Sequence, residues 1–301
     1  MIELSVDPTG EVIAKQYLAS PAIYLDLWAI KDFSLDLRIA ERFVKALVRK
    51  SGTLVLSWIH FLELSQLRNE KQVSAIIEFF EKASPHVFFM DVIPKSVIDK
   101  EDSLLKGKVR IAPHADDRFL KLFLTHRRQG PNPLTVGEFL KDFQQERVVS
   151  MCQSFLNELI ETVEKSRRRA QANPKLAAHI KQIPSGPDLP HATRFINIDA
   201  LQYVVRDKIK VTPRDWRDLF HMIVPLAYCD ILLLDHRWTV KAREIVERLQ
   251  RVGNKAQMAE VFSGRELEQF WKIFDTEETR IAKPEAISLI SRVHYPLYAI
   301  R

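Results

Sequence analysis

Cysteine is scarce: only Cys152 and Cys229 occur in 301 residues, far apart and at no metal-ligand spacing. A cysteine-built metal site or disulfide scaffold is thereby excluded. The opening MIELSVDPTG lacks the basic and apolar regions of a secretion signal, so a reducing, cytoplasmic setting is expected. Glycine is also sparse, with eight against fifteen prolines, and no glycine-rich phosphate loop occurs. The long intervals between these residues carry Leu, Glu, Lys, Arg and Ala, so helix should dominate. Long apolar runs are missing too. The most apolar windows, Leu219 to Cys229 and Ile231 to Leu234, are interrupted by His221 and Asp230 and fall short of the roughly 20 residues a bilayer span needs. No membrane partner is expected.

What is present is a globular composition, 46% hydrophobic and 28% charged, enough for a core and too balanced for disorder. A formal charge of +6 and a pI near 9.2 suit a nucleic-acid partner as well as plain solubility.

Three short runs rich in β-branched or aromatic residues read as buried strands: Ala22 to Leu25, Thr53 to Leu56 and Val87 to Met90. Ile231 to Leu234 has the same character, and Ala259 to Phe262 is a weaker fifth. Uninterrupted apolar strands imply a parallel sheet covered on both faces. Helical patterns lie between them at Leu35 to Arg49, Trp58 to Leu67, Val73 to Lys82, Asp218 to Tyr228 and Thr239 to Leu249. This alternation predicts an α/β three-layer sandwich around a mostly parallel sheet of four or five strands. From about residue 95 to 210 helical periodicity prevails, with expected helices at Asp116 to Arg127, Val136 to Arg169 and Leu176 to Lys181. The expected organisation is a core of residues 1–94 and 210–275, a helical insertion 95–209 and an extension 276–301.

The acids sit at informative places. Asp26 directly follows the first strand, at the carboxyl edge where parallel sheets bind ligands; its bland alternative is a helix cap. Ser57 suits the N-cap of the helix that carries Glu63, and Glu63 faces either solvent or a site. In VTPRDWRDLFHMIVPLAYCDILLLDHRW, Pro213 and Asp215 mark a helix start, whereas Asp218 heads an almost wholly apolar run. A carboxylate there is costly unless paired or bound to a cation. Asp230 and Asp235 flank the last strong strand; Asp235 shares the edge of Asp26, while Asp230 lies at the other end unless it belongs to the preceding helix. Several converging carboxylates repel one another unless a divalent cation neutralises them, and all-oxygen donors suit Mg²⁺ or Mn²⁺.

In order and context, the strand ending in Asp26, Ser57 leading to Glu63, Asp218 heading an apolar helix and the strand before Asp235 resemble the PIN domain superfamily of nucleases, over about residues 20 to 92 and 210 to 265. The resemblance implies metal ligands at Asp26, Glu63 and Asp218. Leu234 and His236 stand where the family carries a hydroxyl residue and a further acid, which leaves the fourth place to Asp235, with Asp230 as its competitor. It also implies a metal-dependent endoribonuclease using Mg²⁺ or Mn²⁺ on RNA, or on DNA, in a toxin–antitoxin, defence or processing setting. An inhibitory partner protein and a homodimer are the partners implied. A catalytically inactive PIN-like scaffold that binds RNA or protein is the alternative. A hydrolase of small phosphoesters lacks support, because Leu27 and Trp28 follow Asp26 where a second Asp would be needed.

Arg167, Arg168 and Arg169 lie in a stretch without acids from Lys165 to Lys181, which suits phosphate or the dipole of a helix end. Ser57, His221 and His236 complete the expected substrate contacts. His60, His221 and His236 lie beside the acids at no paired-ligand spacing, so each also reads as a core histidine. Trp28, Trp58, Trp216 and Trp238 cluster there as packing residues.

Overall fold

The computed structural model describes residues 2–6, 12–106, 112–126, 135–173, 175, 178, 192–206, 211–251, 253, 256–276 and 289–293. The segment around Leu176 to Lys181 thus falls largely outside the described residues.

Strands β1 (Ile2–Val6) and β2 (Val12–Gln16) form a small antiparallel sheet with β8 (Leu289–Val293), in the order β1-β2-β8. The main sheet comprises β3 (Ala22–Leu25), β4 (Thr53–Leu56), β5 (Val87–Phe89), β6 (Ile231–Leu233) and β7 (Glu260–Phe262). Its five strands run in the order β5-β4-β3-β6-β7, and every neighbouring pair is parallel. The α/β expectation therefore holds, with all five strands in place. Residues of β3 to β6 are buried throughout, as continuous apolar runs between two helical layers must be. The register pairs Leu25 with Leu233, Leu56 with Phe89 and Leu233 with Phe262, so Asp26, Ser57, Leu234 and Ser263 leave the sheet at one edge.

The crossovers contain more helices than periodicity suggests. A helix at Leu27–Leu35 precedes the expected one, and Asp36 separates them as the N-cap of Leu37–Arg49, its carboxylate accepting from Arg38 N (2.9 Å). Val136–Phe143 and Glu146–Ala172 are two helices, where the pattern suggested one long or kinked helix. The middle segment shares the core. Phe119, Phe139 and Phe143 pack on Phe61 with centroids 5.0 to 5.7 Å apart. At Gly137 a β-carbon would sit 2.8 Å from the Ile77 carbonyl, a close approach of the helices Val136–Phe143 and Glu70–Ala83 that glycine permits. Among the described residues no helix is long and apolar enough to cross a membrane.

Candidate active site at the carboxyl edge

The central strand β3 delivers two residues to one face, Tyr24 and Asp26, because strand side chains alternate. Two helices deliver one acid and one histidine each, three residues apart and therefore on one helical face: His60 and Glu63 from Trp58–Ser65, Asp218 and His221 from Pro213–Tyr228. The second helix is placed by a capping box. Thr212 N donates to Asp215 Oδ2 (2.8 Å) and Asp215 N donates to Thr212 Oγ1 (3.2 Å), as Pro213 and Asp215 foretold.

Residues remote in sequence meet here. His221 Nε2 lies 3.2 Å from Glu63 Oε2, and Arg217 Nη1 lies 3.5 Å from Glu63 Oε1. The indole of Trp238 donates to Asp218 Oδ2 (2.9 Å), and Leu27 N donates to Asp26 Oδ1 (2.7 Å). Burial pushes the Asp26 carboxyl up to about 6, helped by the charges of Glu63 and Asp218 and opposed by His221. Asp218 is likewise raised, first by burial and then by Asp235 and Glu63, against Trp238 and His221. Burial also acts upward on Glu63, but the hydrogen bond and charge of His221, with Arg217, hold it below its ordinary value. His221 is shifted upward: its own burial disfavours the cation, and Glu63, Asp26 and Asp218 outweigh that. Two acids pushed up and one held down mark a site whose carboxylates share too little positive charge.

Asp235 is the N-cap of His236–Arg251, accepting from Trp238 N (2.9 Å), and its charge reaches Asp218. Asp230 does not join them. It closes the opposite end of the sheet, accepting from Ser20 Oγ (2.9 Å) and Ala22 N (2.6 Å), which removes it from the metal-ligand candidates. The expected substrate contacts are also redistributed. Ser57 and His221 are buried and spend their polar atoms inside the protein, whereas His236 is exposed at the head of its helix. On Glu146–Ala172, Arg167 and Arg168 both pair with Glu164, and Arg169 is exposed. Tyr24 and Arg217 were not singled out from the sequence, and Trp238, expected there as a packing residue, also donates to Asp218. The two-residue step from Tyr24 to Asp26 and the position of Arg217 next to Asp218 were the available signals.

The donor chemistry, all carboxylate oxygen with a neighbouring imidazole, suits a hard divalent cation. The side chains as placed are turned to protein partners, however. Among the described residues no group of three or more His, Cys, Asp or Glu is arranged to hold a metal ion. Asp26 and Asp218 each commit one carboxylate oxygen to the bonds given above, whereas both oxygens of Glu63 face protein partners, His221 and Arg217.

The chain matches no family model, no curated protein and no solved structure. The fold and the acidic edge define it as an α/β protein with a parallel main sheet and half-buried carboxylates set beside buried histidines.

Proposed function

We propose that this centre hydrolyses phosphodiester bonds, making the protein a metal-dependent endoribonuclease of the PIN-like kind. One observation carries the reading: Asp26, Glu63 and Asp218 come from three separate elements to the carboxyl edge of the central strand, where the charges of Glu63 and Asp218 help to raise Asp26 and that of Glu63 helps to raise Asp218. Mutual repulsion of this kind is a reason for a cation to belong there. Asp26, Glu63 and Asp218 would hold Mg²⁺ or Mn²⁺, with Asp235 at the margin. A bound ion of this type supplies an activated water and neutralises charge on the phosphate. The basic surface charge attracts the RNA without reading its sequence.

A non-catalytic RNA- or protein-binding scaffold is the second reading, favoured by the occupation of Glu63 by both His221 and Arg217. Cleavage of single-stranded RNA with Mn²⁺ separates the two. The hydrolase reading requires that the wild type cuts while Asp26→Asn and Glu63→Gln do not. Equal cutting by all three removes the assigned site, and RNA binding without cutting supports the scaffold.

A further inference from the structure

Behind the acids lies a cluster that the hydrolytic reading leaves unused. Tyr24, Ser57, His60 and His221 are all buried, and the three rings form a triangle: Tyr24–His60 4.7 Å, His60–His221 4.8 Å and Tyr24–His221 5.7 Å between centroids. Their hydrogen bonds run in sequence. His60 Nε2 meets the Leu25 carbonyl at 2.8 Å, and a carbonyl only accepts, so this nitrogen carries the proton. Burial holds His60 down to about 3, which keeps the ring neutral and leaves Nδ1 to accept from Ser57 N at 3.0 Å. Ser57 Oγ lies 3.3 Å from the Tyr24 hydroxyl, which in turn bonds His221 Nδ1. At the far end, the Glu63 carboxylate accepts from His221 Nε2 (3.2 Å), so that nitrogen is also protonated.

We infer that Tyr24 is a positioning residue: its hydroxyl fixes the His221 ring so that Nε2 stays on Glu63, and Ser57 and His60 fix Tyr24 in turn. A phenol suits this task because it donates to a bare Nδ1 or accepts from a protonated one, so the ring keeps its orientation in either charge state. A tyrosine serving the core alone would need no imidazole partner. The kinetic consequence of this inference rests on the hydrolase reading; the structural consequence does not.

The test is a ¹H–¹⁵N spectrum of the histidine ring nitrogens in the full chain, assigned with His221→Asn, for wild type, Tyr24→Phe and Ser57→Ala. Tyr24→Phe keeps the ring and removes the hydroxyl, so the His221 nitrogen shifts and Nδ1 environment should change while His114 stays as in wild type. Ser57→Ala should move His221 in the same direction by less, and it stands in if Tyr24→Phe does not fold. Unchanged His221 nitrogens in the folded variants would overturn the inference whatever the activity. If His221 moves and wild type cleaves RNA with Mn²⁺, Tyr24→Phe should lose at least about tenfold in kcat at unchanged KM. If His221 moves and no protein cleaves, the positioning role stands and the hydrolase reading falls.

Discussion

Two groups of acids lie beyond the carboxyl ends of neighbouring regions of one sheet, and they are put to different uses. Beyond β5, Asp91 accepts from Ile93 N (3.0 Å), Ser96 Oγ (2.6 Å) and Lys100 Nζ (2.8 Å), while Asp116 accepts from Phe119 N (2.9 Å). Except for Asp91 meeting the 112–116 turn, these partners lie within nine residues of the acid they serve. The acids close turns and cap helices, and Lys100 ties the two halves by also donating to the Ala115 carbonyl (3.0 Å). Beyond β3 and β4 Asp26 also caps its own helix, accepting from Leu27 N, but Glu63 takes a partner from far along the chain: His221 reaches it across 158 residues. Burial alone therefore does not distinguish a site. Asp116 is pushed up to about 7, chiefly by burial and then by Asp91, further than Asp26 at about 6. What distinguishes the β3 group is that, although Asp26 and Asp235 also cap helices, Glu63 and Asp218 take their partners from other elements and lie beside the Asp26 carboxyl.

Substitutions should divide the two groups. The largest expected effect is on Asp26: Asp26→Asn should lower Mn²⁺-dependent RNA cleavage by about 100-fold or more, while Asp91→Asn keeps activity per folded molecule. Comparable losses in both variants would erase the distinction. Next, Lys100→Met leaves Asp91 without its cation in a poorly solvated turn and should cost about 2 kcal/mol in denaturant unfolding, with cleavage per folded molecule unchanged. Asp230→Ala removes the acceptor for Ser20 and Ala22 at the far edge. It should cost about 1 kcal/mol and likewise spare cleavage, as a strap between β3 and β6 and not a ligand.

The most selective effect is on pH. A carboxyl whose folded pKa is raised binds a proton more tightly in the folded chain, so its contribution to stability falls as pH rises from the unfolded value near 3.8 to the folded value near 7. Wild type should therefore lose stability relative to Asp116→Asn across that window, with a slope of at most about 1.4 kcal/mol per pH unit. Chemical unfolding of both proteins at a series of pH values reads this directly, and parallel curves would place Asp116 in solvent.

The main sheet was legible because β3 to β6 are buried apolar runs closed by a turn former or an acid, with helices in the intervals, while β7, with Glu260 exposed, gave the weaker signal. The small sheet was not, since β1 and β2 are short and β2 takes its second partner, β8, from the other end of the chain. No local pattern reports such a pairing. The split at Asp36 was hidden by continuous helical periodicity, which does not show where a carboxylate turns back to cap a new helix. At the site, Asp26, Glu63 and Asp218 could be named because each follows a strand or occurs in an apolar helix. Their partners could not: the sequence places His221 one turn from Asp218 but does not show that its ring spans Tyr24 and Glu63. Strand direction favoured Asp235 over Asp230 but left Asp230 open as a competitor, and the far-edge bonds of Asp230 agree with the preference.

A crystal structure of the full chain soaked in Mn²⁺, read by anomalous scattering, decides whether the acids at the β3 edge hold a cation. The expected result is one ion within about 2.0 to 2.6 Å of carboxylate oxygens of Asp26 and Asp218, with Glu63 turned toward it from Arg217. Saturating Mn²⁺ with Glu63 still on His221 and Arg217, and no anomalous peak beside Asp26, would contradict it.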